Sequence, residues 1–353
     1  MNKNVENKKK NPILIIFLII LILIVIILFG ARIYFRLPVK DYYACSEKAF
    51  IIPDINKNFI PQGITYNESD KCFLITGYMK DESASPIYVI DENGTLLAKA
   101  LMTDKSGNPL NCHSGGISIY KDYVYIAGCQ TCTLHVFSYD EIKSCNNSDD
   151  LKNGKYVSET GEFSTYINDN DYLNIDFTTI IDNKIILGEF YREDNFDTLD
   201  THKIITGCGD NNHALAVAFE LGNYDDTFGI NPSPCYAYSI TDMVQGMAEN
   251  NGVLYTSSSY AVSDSTIRAY DYNNAVCNGT INILGCNVNL YELDSSIQTA
   301  DYLFPPMAEE IQFVDDMMYT MCESASNKYI FGKLTSHQYC YVTDLSLFDV
   351  NEQ

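Results

Sequence analysis

FIPQGITYNESDKCFLITGYMKDESASPIYVIDENGTLLAKALM, residues 59–102, holds four short apolar segments: FIPQGITY, CFLITGYM, PIYVID and TLLAKALM. Each has strand length and is enriched in β-branched or aromatic residues, while the connections are polar. Glu92, Asn93 and Gly94 form a tight-turn signal between the last two segments, so that pair reads as a hairpin. The stretch is one four-stranded antiparallel unit.

Its opening recurs down the chain. PQGITY with KCFLITGY is followed by SGGISIY with DYVYIAG, NIDFTTII with NKIILGEFY, VQGMAEN with GVLYTSSSY, and AEEIQFVD with DMMYTMCES. Measured from Gln62, Gly115, Asp176, Gln245 and Glu309, the copies lie 53 to 69 residues apart. A fixed recurrence of paired strands implies a radial array of small sheets, so the expected fold is an all-β propeller of five blades. Six blades would require one insertion to hide a degenerate blade. Third strands are expected in TLHVFSYD, HALAVAFELG, STIRAYDY and NKYIFGKL, and fourth strands in KYVSETGEF, CYAYSITD and the stretch from NVNLYELD to ADYLF. The surplus length falls in SCNNSDDLKNG, REDNFDTLDTH, NYDDTFGINPSP and NNAVCNGTINILGC, which read as surface loops. AFIIPDINKNF is expected to supply a strand that closes the ring with the last blade and protects its edges.

The first forty residues differ in kind. An unbroken apolar run extends from Ile13 to Phe29, with no polar face, and is long enough for a membrane span. The expected organisation is a cytoplasmic tail (1–11), a retained transmembrane signal-anchor helix (12–35), a linker (36–45) and an extracytoplasmic propeller (46–353). A cleaved signal peptide is the competing reading. Retention is favoured because the apolar core exceeds the usual roughly 7–15 residues and no small-residue cleavage site follows. Lys3, Lys8, Lys9 and Lys10 precede the run, and Arg32, Arg36 and Lys40 follow it, which gives only a slight positive-inside bias. The 12 cysteines, an even number scattered over every repeat, favour structural disulfides in an oxidising compartment. Cys277 with Cys286 and Cys322 with Cys340 are the near-neighbour candidates.

Of 23 basic and 46 acidic residues, seven and one respectively precede Asp41, leaving 16 against 45 and a formal charge of −29. Nucleic acid and anionic lipid headgroups are thereby disfavoured as partners. Much of this charge is expected to serve as a solvated surface.

In a propeller the start of each first strand and the end of each second strand meet at one channel mouth. Strand starts supply Gln62, His113, Asp176, Gln245 and Glu309, and second-strand ends supply Tyr78, Glu189, Tyr191, Arg192, Ser259, Tyr260 and Glu323. This set fits either a polar ligand or a hard cation. Polar groups and glycines at strand starts also serve simply to satisfy and crowd the inner strands.

PQGITY with ITGYM, NCHSGGI, ILGEFYRE, VQGMA with SSSY, and PPMAEEI, spread over residues 59–325, resemble a set of bacterial secreted or membrane-anchored β-propeller proteins of unassigned activity. More distantly the chain is similar to lactonase-like and strictosidine-synthase-like propellers. That second resemblance implies a divalent cation such as calcium at the mouth, held by Glu, Asn and Asp, and hydrolysis of lactones or esters. Glu309 and Asp176 match such ligands, Gln62 and Gln245 stand where asparagines are expected, and His113 is additional.

Other motifs weigh less. Cys129-Gln130-Thr131-Cys132 lies between strands rather than at a helix start, so a bridge to Cys112 or Cys145 is expected ahead of redox chemistry. Asn168-Asp169-Asn170-Asp171 lacks the glycine and distal glutamate of a calcium loop. No phosphate-binding loop, dinucleotide fingerprint or nucleophile elbow occurs. The sequence therefore favours a membrane-anchored binding module over an enzyme, with a protein, sugar or small molecule as ligand through Gln62, His113, Gln245, Glu189, Arg192, Tyr260 and Glu323. The alternative is a metal-assisted hydrolase with Asp176 and Glu309 on the cation and His113 as base.

Overall fold

The computed structural model describes residues 11–348; most of the expected N-terminal tail lies outside them. Five blades form the domain. Counted outward from the channel as strands A to D, blade 1 is Phe59–Asn67, Cys72–Met79, Pro86–Asp91 and Leu96–Thr103. Blade 2 is Ile117–Tyr120, Tyr123–Ala127, Thr133–Ser138 and Gly161–Ser164. Blade 3 is Phe177–Ile181, Lys184–Gly188, Ala214–Leu221 and Ile230–Ile240, and blade 4 is Val244–Asn250, Val253–Ser258, Ser265–Tyr270 and Gln298–Phe304. Blade 5 takes Ala308–Val314, Met317–Cys322 and Tyr339–Thr343 from the C-terminal end, and its D strand is Ser46–Ile51. Ser46 pairs with Thr343 and Ile51 with Tyr339, so the N-terminal strand locks the ring as AFIIPDINKNF leads one to expect.

The blade count is written into the core. Its buried apolar residues divide into five clusters, one in each wedge between neighbouring blades. Inner strands approach so closely that a side chain is excluded at their entries. A Cβ on Gly115 would lie 2.1 Å from the Asp176 carbonyl oxygen, and one on Gly246 would lie 2.7 Å from Glu310 Cα. The glycines of GGI and VQGM are therefore packing devices between consecutive blades.

Several local expectations are corrected. NKYIFGKL is not a strand of blade 5: Gly332 N bonds Tyr329 O and Ser336 N bonds Gly332 O, a run of local turns ending in the 3-10 helix Gly332–Leu334. The C strand is Tyr339–Thr343. NNAVCNGTINILGC is not a loop but contributes to a hairpin, Cys277–Ile283 with Cys286–Glu292, whose second strand runs parallel to the D strand of blade 3. KYVS adds a parallel fifth strand to blade 1, and only GEFS serves as the D strand of blade 2. SCNNSDDLKNG contains the helix Ser148–Asn153, started by the Asn147 side chain.

Neither near-neighbour cysteine pair is bridged, and the register explains why. Cys277 lies opposite Tyr291 whereas Cys286 lies opposite Ile283, at the two ends of their hairpin. Cys322 packs into the wedge between blades 4 and 5, and Cys340 into the wedge between blades 5 and 1. They face opposite sides of one sheet. Cys129 donates to Asp176 and Cys132 to Asn174, while Cys145 is buried in the blade 1–2 wedge.

Helix Pro12–Arg36 is capped by Asn11, whose side chain accepts from Ile13 N at 3.1 Å, and none of its residues is buried. Its last turns alone touch the propeller. Arg32 donates to the Lys333 carbonyl at 3.0 Å and to the His337 ring, and Arg36 donates to the Thr335 carbonyl at 3.0 Å. A short helix, Lys40–Ala44, then buries Tyr42 against Phe304 and Tyr341 before the closing strand begins.

Candidate functional site

All five A-strand positions singled out in the sequence line one cavity of about 600 Å³ at the channel mouth: Gln62, His113, Asp176, Gln245 and Glu309. Tyr260 and Glu323, from B-strand ends, line it too. Antiparallel pairing is the cause, since each B strand ends beside the start of its own A strand.

Three expected residues, Glu189, Tyr191 and Arg192, are not among the residues that line the cavity. Glu189 is fully buried behind the cavity, where it accepts from His202 Nδ1 at 3.0 Å and from Leu215 N at 3.1 Å; it ties the long B–C insertion of blade 3 to its own sheet. Arg192 stays at the rim, its guanidinium 4.0 Å from the centre of the Tyr260 ring, a cation–π stack that holds Tyr260 in place.

Three carboxylates sit in or beside the cavity floor, and burial raises the pKa of each. Asp176 is pushed up to about 6 by burial, against the opposing hydrogen bonds of Cys129 and Gln130. Glu309 goes well above the ordinary carboxylate range, through burial first and then through the neighbouring charges of Glu323 and Asp176. Burial also raises Glu323, opposed by Tyr78, Lys328 and Tyr329. Tyr78 and Tyr329 each donate to Glu323 Oε1, at 2.5 and 2.9 Å, and Lys328 donates to the Tyr78 hydroxyl. Lys328 thus reaches Glu323 mainly through a phenol, its Nζ being 3.9 Å from the carboxylate.

His113 stacks flat on Tyr78, ring centres 4.1 Å apart and planes within 1°. Desolvation by the cavity wall, then Lys328, lowers its pKa, so it presents a neutral imidazole at neutral pH. Phe190, Phe196, Tyr260 and Met307 supply the apolar part of the cavity lining.

The backbone around this cavity is strained. Ser114, Met243 and Met307, just before the A strands of blades 2, 4 and 5 or at their entry, and Cys129, Gln130 and Ala261, just after B strands, all have φ between 49° and 61°. Left-handed geometry costs a non-glycine residue roughly 1 kcal/mol or more and clusters where side chains must be aimed.

Sequence reasoning misses Cys129, Gln130, Phe190, Phe196, Lys328 and Tyr329. The last two sit in the segment read as a strand; Asn327-Lys328, polar at its start, and Gly332 within it were the signal against that reading. Cys129, Gln130 and Phe196 stand in connections, for which the repeat alignment supplies no signal, and Phe190 lies in NKIILGEFY between Glu189 and Tyr191, just past the strand end at Gly188.

Three residues of the cation set implied by the lactonase-like resemblance carry hydrogen bonds within the protein. Asp176 already accepts the Cys129 thiol at 2.7 Å, and Gln62 and Gln245 turn their amide nitrogens onto the Pro61 and Ser259 carbonyls. Among the described residues the one group of three metal-ligand side chains within 4.8 Å lies elsewhere, at His135, Glu159 and Glu162. There His135 Nδ1 is 2.9 Å from Glu159 and 3.5 Å from Glu162, a hydrogen-bonded arrangement that fastens blade 2 to the strand connection beside it.

No protein-family model matches the chain, and no curated protein matches it. Among solved structures it is similar to the glutaminyl cyclase of Myxococcus xanthus, at 10% identity and a TM-score of 0.41 over 85% of this chain and 94% of that one. Hsv2 of Kluyveromyces lactis gives 10% identity and a TM-score of 0.31, over 75% of this chain and 57% of that one. Hydrazine synthase of Kuenenia stuttgartiensis gives 8% and 0.33, over 75% and 56%. Likenesses this distant carry no inference about activity.

Proposed function

We propose that this propeller is a membrane-anchored recognition domain, held outside the cytoplasm by its N-terminal helix, whose channel mouth binds a small amine with an apolar body. The observation that carries this reading is the imbalance of charge in the cavity: three carboxylates, Asp176, Glu309 and Glu323, face a single nearby ammonium, that of Lys328. A cationic ligand would relieve both the mutual repulsion of Glu309 with its neighbours and the cost of holding charge away from water. The aromatic lining formed by Phe190, Phe196 and Tyr260 suits an apolar body, and aromatic faces favour a cation beside them. Placement outside the cytoplasm is supported by the four lysines that precede the apolar run.

Calorimetry on the full chain in detergent tests the ligand class with three isosteric probes. 2-Phenylethylamine should bind, 2-phenylethanol should bind at least tenfold more weakly, and phenylacetate should not bind. Glu309→Gln and Glu323→Gln should each weaken the amine at least tenfold, while amine binding to the parent chain should release protons. Equal affinity for amine and alcohol would remove the reading. Calcium binding that is lost in Glu309→Gln, with no response to the amine, would replace it with the hydrolase alternative.

A further inference from the structure

We propose that the mouth end of the propeller docks on the bilayer that holds the N-terminal helix, with lipid acyl chains as its partner. The inference rests on the anchor part of the reading above and is independent of the ligand.

Three observations converge. The helix leaves the domain at the mouth end, because Arg32 and Arg36 bind residues 333–337, which belong to the B–C connection of blade 5. The most exposed large apolar side chains of the propeller stand at that same end. Ile205, Val262, Ile330 and Phe331 are 74%, 75%, 78% and 79% exposed, and they occupy the B–C connections of three consecutive blades, 3, 4 and 5. Among the described residues, no other large apolar side chain of the propeller exceeds the 63% of Leu347. Finally, Tyr34, Phe35 and Leu37 of the helix end face Val262, Phe331 and Leu334 across a groove of about 680 Å³. Met307 and Tyr329 belong both to this groove and to the carboxylate cavity, so the two are adjoining spaces.

Depth along the helix agrees. Arg32, which bonds Lys333, comes three residues after Phe29, where the apolar run ends. At about 1.5 Å per residue that places the loop roughly 5 Å beyond the run, within the headgroup zone and within reach of the acyl boundary. The acidic surface excludes attraction to anionic headgroups as the main force. Insertion of apolar side chains remains, with Tyr34 at interfacial depth and Arg32 and Arg36 beside it.

The chain has no tryptophan, so a single introduced indole reports its own surroundings. The full chain is reconstituted in phosphatidylcholine vesicles with and without bromine on the acyl chains. Phe331→Trp and Val262→Trp should show blue-shifted emission and be quenched at least twofold by the brominated lipid. Leu97→Trp, at the start of the blade 1 D strand beside its C–D turn and so at the end away from the mouth, should emit as in water and stay unquenched. Phe17→Trp, inside the helix, reports the anchor itself. Quenching of Phe17→Trp without quenching at 331 and 262 overturns the docking while leaving the anchor standing; loss of quenching at all three positions overturns both.

Discussion

Asp176 shows how the mouth trades stability for a poised charge. It is 4% exposed, it accepts the Cys129 thiol, and its pKa is about 6 against 3.8 for the unperturbed group. A carboxyl raised in the folded state binds its proton more tightly there than in the unfolded chain. Its proton therefore stabilises the fold below about pH 4, and that contribution is lost as pH rises through about 6, a difference of roughly 3 kcal/mol. Asp176→Asn should accordingly raise the melting temperature at about pH 7.5, with the gain vanishing near pH 4; thermal denaturation across this range checks it. On the amine reading proposed above, the same variant should also weaken amine binding, since it removes one of the three carboxyl groups of the cavity. Glu310, next to Glu309, has the opposite assignment. Its carboxylate accepts from Ile64 N at 2.7 Å and from Ile117 N at 3.1 Å, joining the inner strands of blades 5, 1 and 2. Two adjacent glutamates thus divide between ligand cavity and scaffold, because successive strand residues face opposite ways.

The inner strand is the element on which the architecture depends. A side chain at Gly246 would meet the backbone of the next blade at 2.7 Å, and backbone cannot rotate away as a side chain can. Gly246→Ala should therefore destabilise the domain by about 1–3 kcal/mol, read as a fall in the denaturant midpoint with the slope unchanged. These A and B strands are also what the sequence made legible. Glycine beside a polar residue or a second glycine repeats at the entries PQGITY, SGGISIY and VQGMAEN of blades 1, 2 and 4, where the inner strand of the next blade crowds the backbone. Outer strands carry no such constraint. The C strand of blade 5 was misplaced onto NKYIFGKL, since an apolar run on a mouth loop beside the helix end looks locally like one on a sheet edge. The first strand of the hairpin at 277–292 was likewise read as a loop, being polar on its open face, and the second, within NVNLYELD, was read as part of the fourth strand of blade 4, whereas it pairs with blade 3.

For the molecule as a whole, the question is which side of the membrane the ring occupies. The twelve cysteines pointed outward only on the premise that they pair, and their registers keep the near neighbours apart. Exposed Cys208 and Cys277 allow a direct measurement. In intact cells expressing the chain, a membrane-impermeant maleimide should label it, and Cys208→Ser with Cys277→Ser should abolish most of the labelling. Reaction only after lysis would place the propeller in the cytoplasm.

The sequence by itself determined the five-fold array, the apolar N-terminal helix, the closing strand and the convergence of Gln62, His113, Asp176, Gln245 and Glu309. All of these follow from a pattern repeated from blade to blade or from one continuous run of residues. Only the tertiary structure decided that Glu189 is a buried strut, that Lys328 and Tyr329 belong to the cavity, that Cys277 and Cys286, like Cys322 and Cys340, are held apart, and that the helix leaves from the mouth end. Each of these depends on which single connection folds over which neighbour. A connection between strands is not repeated, so no pattern in the chain announces where its side chains come to rest.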